Sequence, residues 1–291
     1  MWLIVGGNSE IGAFTAREMG TRGDEVVVTS RRLDEGSLPL DLGAPLDEWW
    51  PPPAVSSACV CAAISRIAQC DADPLGTARI NVTQTAALVE RLLGRGAHVL
   101  YLSSNQVFDG TRASVPSEAE RCPVSEYGRQ KAQMEALLGE AMADGAPVAV
   151  LRLAKVVLPD APLLTSWVRA LRAGSPVTAF SEMSLAPVPV GLVSEAIRCL
   201  MRDRRAGIYQ LSGPCDVSYL ELAMLIAERL GASRSLVREG SAGAAGLPVG
   251  ACPRFTTLDS SELRSLYGIR APDMSTLVRN YIEKLPIDPV R

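Results

Sequence analysis

Three side chains have the types and spacing to move a proton together: Ser104, Tyr127 and Lys131. Tyr127-Gly-Arg-Gln-Lys131 falls in a segment that reads as a helix, roughly Ser125 to Met142. A spacing of four puts the phenol and the ammonium on one helix face. Ser103-Ser104 close a strand-like run, Gly96-Ala-His-Val-Leu-Tyr-Leu-Ser103. An ammonium beside a phenol favours the phenolate and lowers the Tyr pKa. A serine hydroxyl at the same spot holds a carbonyl or alcohol oxygen. Such a set passes a proton to or from a sugar-like hydroxyl. Tyr-x-x-x-Lys alone recurs on many surface helices, so its weight rests on the elements that would position it.

The chain opens with such elements. Met1-Trp-Leu-Ile-Val5 is an apolar run suited to a buried parallel strand. Gly6-Gly7-Asn8-Ser9-Glu10-Ile11-Gly12 follows at once, and Ala13 to Met19 reads as a helix. Gly6 permits the tight turn, Gly12 lets helix and strand pack closely, and the N–H groups at the helix start cradle a pyrophosphate. Asn8, Ser9, Glu10 and Ile11 complete this loop; Ser9 stands where a middle glycine is usual, and Glu10 brings a negative charge to the phosphate end. A second strand, Asp24 to Thr29, ends in Ser30-Arg31-Arg32. Basic residues there suit the 2′-phosphate of NADP, where an NAD site places an acid. Leu40-Asp41-Leu42 reads as the end of a third strand, with Asp41 near the adenine, and Val55 to Ala63 as a fourth that opens into Ile64-Ser65.

Strand and helix signals alternate to about residue 155, the pattern of an α/β doubly wound parallel sheet. Shorter elements punctuated by proline and glycine follow, and Gly207-Ile-Tyr-Gln-Leu-Ser212 reads as a strand returning to the main sheet. The expected division is a nucleotide-binding domain at 1–158, a return to it near 190–213, and mainly a substrate lobe at 159–291. The 291 residues suffice for both; 47% are hydrophobic and 21% charged, as in a globular chain. A net charge of −3 with no basic stripe argues against nucleic acid as the main ligand. No apolar run approaches membrane-spanning length, and a strand beginning at Met1 leads to the expectation of a cytoplasmic chain without a signal peptide. The seven cysteines are scattered without C-x-x-C and read as packing residues, Cys59 and Cys61 on one strand face. A single histidine, His98, excludes a multi-histidine metal site.

These residues carry a resemblance. The glycine loop, Cys61-Ala-Ala63, Ile80-Asn81-Val-Thr, Leu102-Ser-Ser-Asn-Gln-Val-Phe-Asp-Gly110, Tyr127-x-x-x-Lys131, Leu151-Arg-Leu153 and Phe180-Ser-Glu are matched in order. So are Pro187-Val, Gly207 to Gly213 and Pro253-Arg-Phe-Thr-Thr-Leu-Asp259. Together they resemble the extended short-chain dehydrogenase/reductases that act on nucleotide sugars, most nearly the dTDP-4-dehydrorhamnose reductase branch. The resemblance implies a Rossmann-like sheet with a smaller C-terminal α/β substrate lobe. Ser104, Tyr127 and Lys131 would be catalytic, with Tyr127 as acid/base and Lys131 on the nicotinamide ribose. Ala62 and Ala63 would join the cofactor site.

The same resemblance points to NADP(H)-dependent reduction of a keto group on a nucleotide-linked deoxysugar. Related 4,6-dehydratases carry an Asp-Glu pair where this chain has Asn105-Gln106, and amides cannot perform that proton transfer. Substrate contacts would come from Ser104, Asn105 and Gln106. Lys155 would meet a diphosphate or carboxylate, and Arg254 the nucleotide phosphates. The alternatives are an epimerase, which uses the same set on a tightly held cofactor, and a non-catalytic regulatory subunit. Relatives often dimerise, which allows a homodimer.

Overall fold

The computed structural model describes residues 1–32, 36–247 and 253–285. In chain order its first half comprises β1 (Trp2–Val5), α1 (Glu10–Thr21), β2 (Val26–Ser30), β3 (Ser37–Pro39), β4 (Ser57–Val60), α2 (Ile67–Ala72), α3 (Pro74–Ala78), α4 (Thr85–Gly94), β5 (His98–Ser104), α5 (Glu126–Ala143) and β6 (Val148–Leu153). There follow β7 (Val156–Val157), α6 (Pro162–Arg172), β8 (Val177–Phe180), β9 (Ser184–Leu185), β10 (Val188–Pro189), α7 (Val190–Asp203), β11 (Gly207–Leu211), β12 (Val217–Ser218), α8 (Tyr219–Leu230), β13 (Val237–Gly240), α9 (Ser261–Tyr267) and α10 (Met274–Lys284).

Seven strands form one parallel sheet in the order β11-β6-β5-β4-β1-β2-β3. Its central strands are near-continuous apolar runs because helices cover both faces; all six residues of β6 are buried. Met19 of α1 and Val193, Ile197 and Leu200 of α7 pack on one face. Leu88 and Leu92 of α4 and Met134 and Leu138 of α5 pack on the other. Strand order reverses between β1 and β4, which opens a crevice at their C-terminal ends.

The differences from the sequence expectations lie at strand ends. Of Val55 to Ala63 only Ser57–Val60 pairs as β4. Residues 61–63 leave the ladder at the sheet edge, where the Cys61 and Ala62 N–H groups both donate to the Val5 carbonyl, at 2.9 and 3.1 Å. β3 closes at Pro39, so Leu40-Asp41-Leu42 follow the strand rather than end it. β11 pairs with β6 as the Gly207–Ser212 pattern predicts. Within the stretch read as mainly lobe, α9 packs on the main sheet through Leu263, as does Ile269 just after it.

The smaller lobe sets the ribbons β8–β13 and β9–β12 against α6, α8 and α10, over a core that includes Trp167, Leu222, Ile226, Val278 and Tyr281. Sequence chemistry fixes α8: Ser218 and Glu221 cap each other's backbone N–H at its start, and Gly231, at φ 67°, ends it. His98 lies at the N-terminal end of β5. Its ring accepts from the Ser57 hydroxyl at 3.0 Å and donates to the Arg205 carbonyl at 2.9 Å, a packing role far along the strand from Ser104. No described helix is long and apolar enough to cross a membrane.

Candidate active site

The C-terminal end of β5 and the N-terminal end of α5 meet beside the crevice. Ser104 is the last residue of β5 and caps the single 3-10 turn Asn105–Val107; its Oγ accepts from the Gln106 N–H at 3.2 Å. Ser125 caps α5 by accepting from the Gly128 N–H at 3.1 Å, an interaction worth about 1 kcal/mol. Gly128 has no side chain because a Cβ there would strike the Gln106 carbonyl. The helix therefore seats directly on the turn and brings Tyr127 to Ser104. Both line a cavity of about 300 Å³ with Asn105, Gln106 and Lys155. Met183, Tyr219, Pro253 and Thr256 form part of the facing wall, and the described lining contains no carboxylate.

Lys131 lies one turn deeper in α5. Its ammonium donates to the Leu102 carbonyl at 2.7 Å and sits 4.3 Å from the Tyr101 ring centroid and 5.8 Å from that of Tyr127. Burial pushes its pKa down to about 8, against the upward pull of Glu135, Cys61 and Cys70. Tyr127 departs from the sequence expectation. Its pKa is raised, chiefly by burial and next by Cys70, while the Ser104 hydroxyl draws it down. Desolvation of the phenolate thus outweighs the lysine, whose ammonium is anchored on Leu102, and the phenol is the stable form.

The glycine loop packs too closely on its neighbours to admit side chains at three positions. Gly6 adopts φ +86°, and a Cβ on it would lie 2.8 Å from the Ala62 backbone nitrogen. A Cβ on Gly7 would lie 2.6 Å from that of Val28, and one on Gly12 would strike the Gly6 carbonyl. Ser9 takes the middle-glycine position as the cap of α1: its Oγ donates to the Gly6 carbonyl at 2.7 Å and accepts from the Gly12 N–H at 3.1 Å. The serine tightens the loop from inside. Asn8 donates to the Ser30 hydroxyl at 2.7 Å, Glu10 is exposed in the first turn, and Ile11 packs on the core. Arg31 and Arg32 are exposed directly after β2. Asp41 is exposed and its carboxylate accepts from the Gly43 N–H at 2.8 Å. Leu42 turns its side chain into the core, so it offers the crevice only backbone. Ala62 and Ala63 lie beside the loop, half-buried.

Arg254 differs from expectation. It is exposed, its guanidinium lies 5.3 Å from the Phe255 ring centroid, and its neighbours Pro253 and Thr256 line the cavity in its place. Asp216 holds that segment: its carboxylate accepts from the Thr256 hydroxyl at 2.9 Å and from the Thr257 N–H and hydroxyl at 3.1 and 2.6 Å.

Residues beyond the expected set also position the site. Arg79–Gln84 form a π-helical turn that carries Asn81 inward. The Asn81 side chain accepts from the Ile64 N–H at 2.8 Å and donates to the Ile64 carbonyl at 2.9 Å and to Gln130 Oε1 at 2.7 Å, which ties the exit of β4 to α5. Glu135 and Arg152 form a buried ion pair beneath Lys131, 0% and 1% exposed. Breaking such a pair costs about 3–5 kcal/mol. The sequence signal for it is a charge inside an apolar strand, Leu151-Arg-Leu153, and an acid one further four-residue step along the Tyr127 face.

Strand order, glycine cradle and the Ser-Tyr-Lys corner define the extended short-chain dehydrogenase/reductase fold. The family model described as RmlD substrate binding domain matches residues 1–287, and the chain belongs to that family. Among solved structures it is similar to a dTDP-4-dehydrorhamnose reductase from Bacillus anthracis str. Ames in complex with NADP, at 17% identity and a TM-score of 0.81 over 98% of this chain and 99% of that one. It is similar to a hypothetical dTDP-4-dehydrorhamnose reductase from Sulfolobus tokodaii, at 21% identity and a TM-score of 0.78 over 94% and 97% of the chains. A third is DesIV, a dTDP-glucose 4,6-dehydratase from Streptomyces venezuelae with NAD and TYD bound, at 21% identity and a TM-score of 0.76 over 97% of both chains. These are similarities of fold. Comparison with curated proteins finds no significant match.

Proposed function

We propose that the protein is an NADPH-dependent ketoreductase acting on a keto group of a nucleotide-linked deoxysugar. The observation that carries this reading is the convergence of Ser104 and Tyr127 on one cavity, with Lys131 behind them. The glycine loop supports a dinucleotide site, since Gly6, Gly7 and Gly12 let the turn close tightly on Ala62 and Val28 and bring the start of α1 against β1. Gly6 to Gly12 would hold the pyrophosphate, Ala62 and Ala63 the crevice wall, and Lys131 the ribose. Arg31 and Arg32 favour NADP by offering cations to a 2′-phosphate.

When bound, the dihydronicotinamide supplies a hydride. The Tyr127 phenol donates its proton to the carbonyl oxygen as negative charge develops there, and the Ser104 hydroxyl donates a hydrogen bond to the same oxygen. Asn105 and Gln106 line the same wall as neutral amides, which supports reduction over dehydration. Lys155 is the cavity's cation among the described lining residues and suits an anionic part of the substrate.

The test is NADPH consumption with a panel of 4-keto sugar nucleotides, wild type beside Tyr127→Phe. We expect turnover with at least one of them and a loss of about 10²–10⁴-fold in the variant, with NADPH binding retained. No turnover and no cofactor binding in the wild type would reject the enzyme reading. Isomerised sugar without net NADPH consumption would favour an epimerase.

A further inference from the structure

The face of α5 that carries Tyr127 and Lys131 continues to Glu135 by another step of four. All three side chains run along β5. Lys131 donates to the Leu102 carbonyl at 2.7 Å, and the Ser103 hydroxyl donates to Glu135 Oε1 at 2.5 Å. Consecutive residues of β5 just before Ser104 are therefore tied to α5. Arg152 grips the same carboxylate, with Nη2 to Oε2 at 2.7 Å and Nε to Oε1 at 3.0 Å, and Arg121 stands 3.5 Å from Oε2. Arg152 also donates to the Ser117 carbonyl at 2.8 Å and to Gln210 Oε1 at 3.1 Å. Apolar residues of similar volume often serve stability as well as a buried ion pair does, so stability is a weak reason for this one.

We propose that Glu135 is a positioning residue for the ketone reduction proposed above: its carboxylate fixes the end of β5 that carries Ser104 against α5 and places a negative charge one helical turn from Lys131. The titratable groups around Lys131 are Tyr101 from β5, Tyr127 and Glu135 from α5, Cys61 from the exit of β4 and Cys70 from α2. Those around Glu135 are Arg152 from β6, Arg121 from the segment before α5, and Tyr101. Glu135 is the anion of the group around Lys131, with neutral thiols and phenols making up the rest. Burial works against the Lys131 charge, and Glu135 is foremost among the influences that oppose it.

The lysine content makes this directly measurable. The chain's lysines are Lys131, Lys155 and Lys284, and the last two are exposed. With lysine isotopically labelled at Cε, NMR follows each titration in the full-length protein without substrate. Glu135→Gln should lower the Lys131 midpoint by about one pH unit or more and leave Lys155 and Lys284 unmoved. The alkaline limb of kcat should move with it. If Glu135→Gln fails to fold, Ser103→Ala cuts the carboxylate's tie to β5 while keeping the ion pair, and kcat should fall about fivefold or more. An unchanged Lys131 midpoint in the folded Glu135→Gln variant, or an unchanged kcat in Ser103→Ala, would overturn the proposal. A wild type inactive on every keto sugar nucleotide would instead overturn the reaction assignment, and the titration would still report whether Glu135 holds the Lys131 charge.

Discussion

Tyr127 faces the cavity as a phenol because burial disfavours its anion more than the distant ammonium favours it. Lys131 sets the pH range. With its pKa held down at about 8, it is cationic below that value and neutral above it. The sign follows: kcat for reduction should be flat on the acid side and fall about tenfold per pH unit above pH 8, read from a pH profile at saturating substrate. Arg31 and Arg32 bear on cofactor choice. Charge-assisted hydrogen bonds to a phosphate are each worth about 1.5–3 kcal/mol. Changing both to Ala should weaken NADPH binding by tenfold or more and leave NADH nearly unaffected; equal losses for both would remove the 2′-phosphate role. The residue types were legible in the sequence. The tyrosine's raised pKa was not, because it depends on desolvation by surroundings that only folding assembles.

The site depends on how closely two elements meet. Gly128 brings α5 onto the Asn105–Val107 turn, and a methyl group there has no room beside the Gln106 carbonyl. Gly128→Ala should push Tyr127 away from Ser104 and lower kcat by about 10²-fold, a larger effect than on thermal unfolding. The facing wall depends on Asp216, which anchors Thr256 and Thr257. Asp216→Asn should raise KM for the sugar nucleotide by about tenfold with a smaller change in kcat. Helices with caps were readable: the Ser125 to Met142 reading compares with Glu126–Ala143 capped by Ser125. Strand ends were overextended because apolar residues continue past the last ladder bond, as at Cys61-Ala62-Ala63, where the chain turns to line the crevice. The Glu135–Arg152 pair was not legible in the sequence, since a charge within an apolar strand reveals its partner only when β6 and α5 pack together.

At the scale of the molecule, the cavity gathers residues from Ser65 to Thr256, contributed by the main sheet's C-terminal edge and by the smaller lobe. The doubly wound sheet positions Ser104 and Tyr127 at its edge and leaves the covering wall to segments far away in sequence. That is why alternation of strands and helices predicts the sheet and says little about Met183 or Tyr219, whose placement depends on long-range packing. The central claim is that this assembly delivers a hydride to a sugar ketone. The most direct measurement is incubation of the wild type with NADPH carrying deuterium at the transferable position and an accepted 4-keto sugar nucleotide, followed by mass and NMR analysis of the product. The account predicts one deuterium on the former carbonyl carbon, one NADPH oxidised per product, and neither in Tyr127→Phe at matched times. A product without deuterium, or a product formed as fast by Tyr127→Phe, would contradict it.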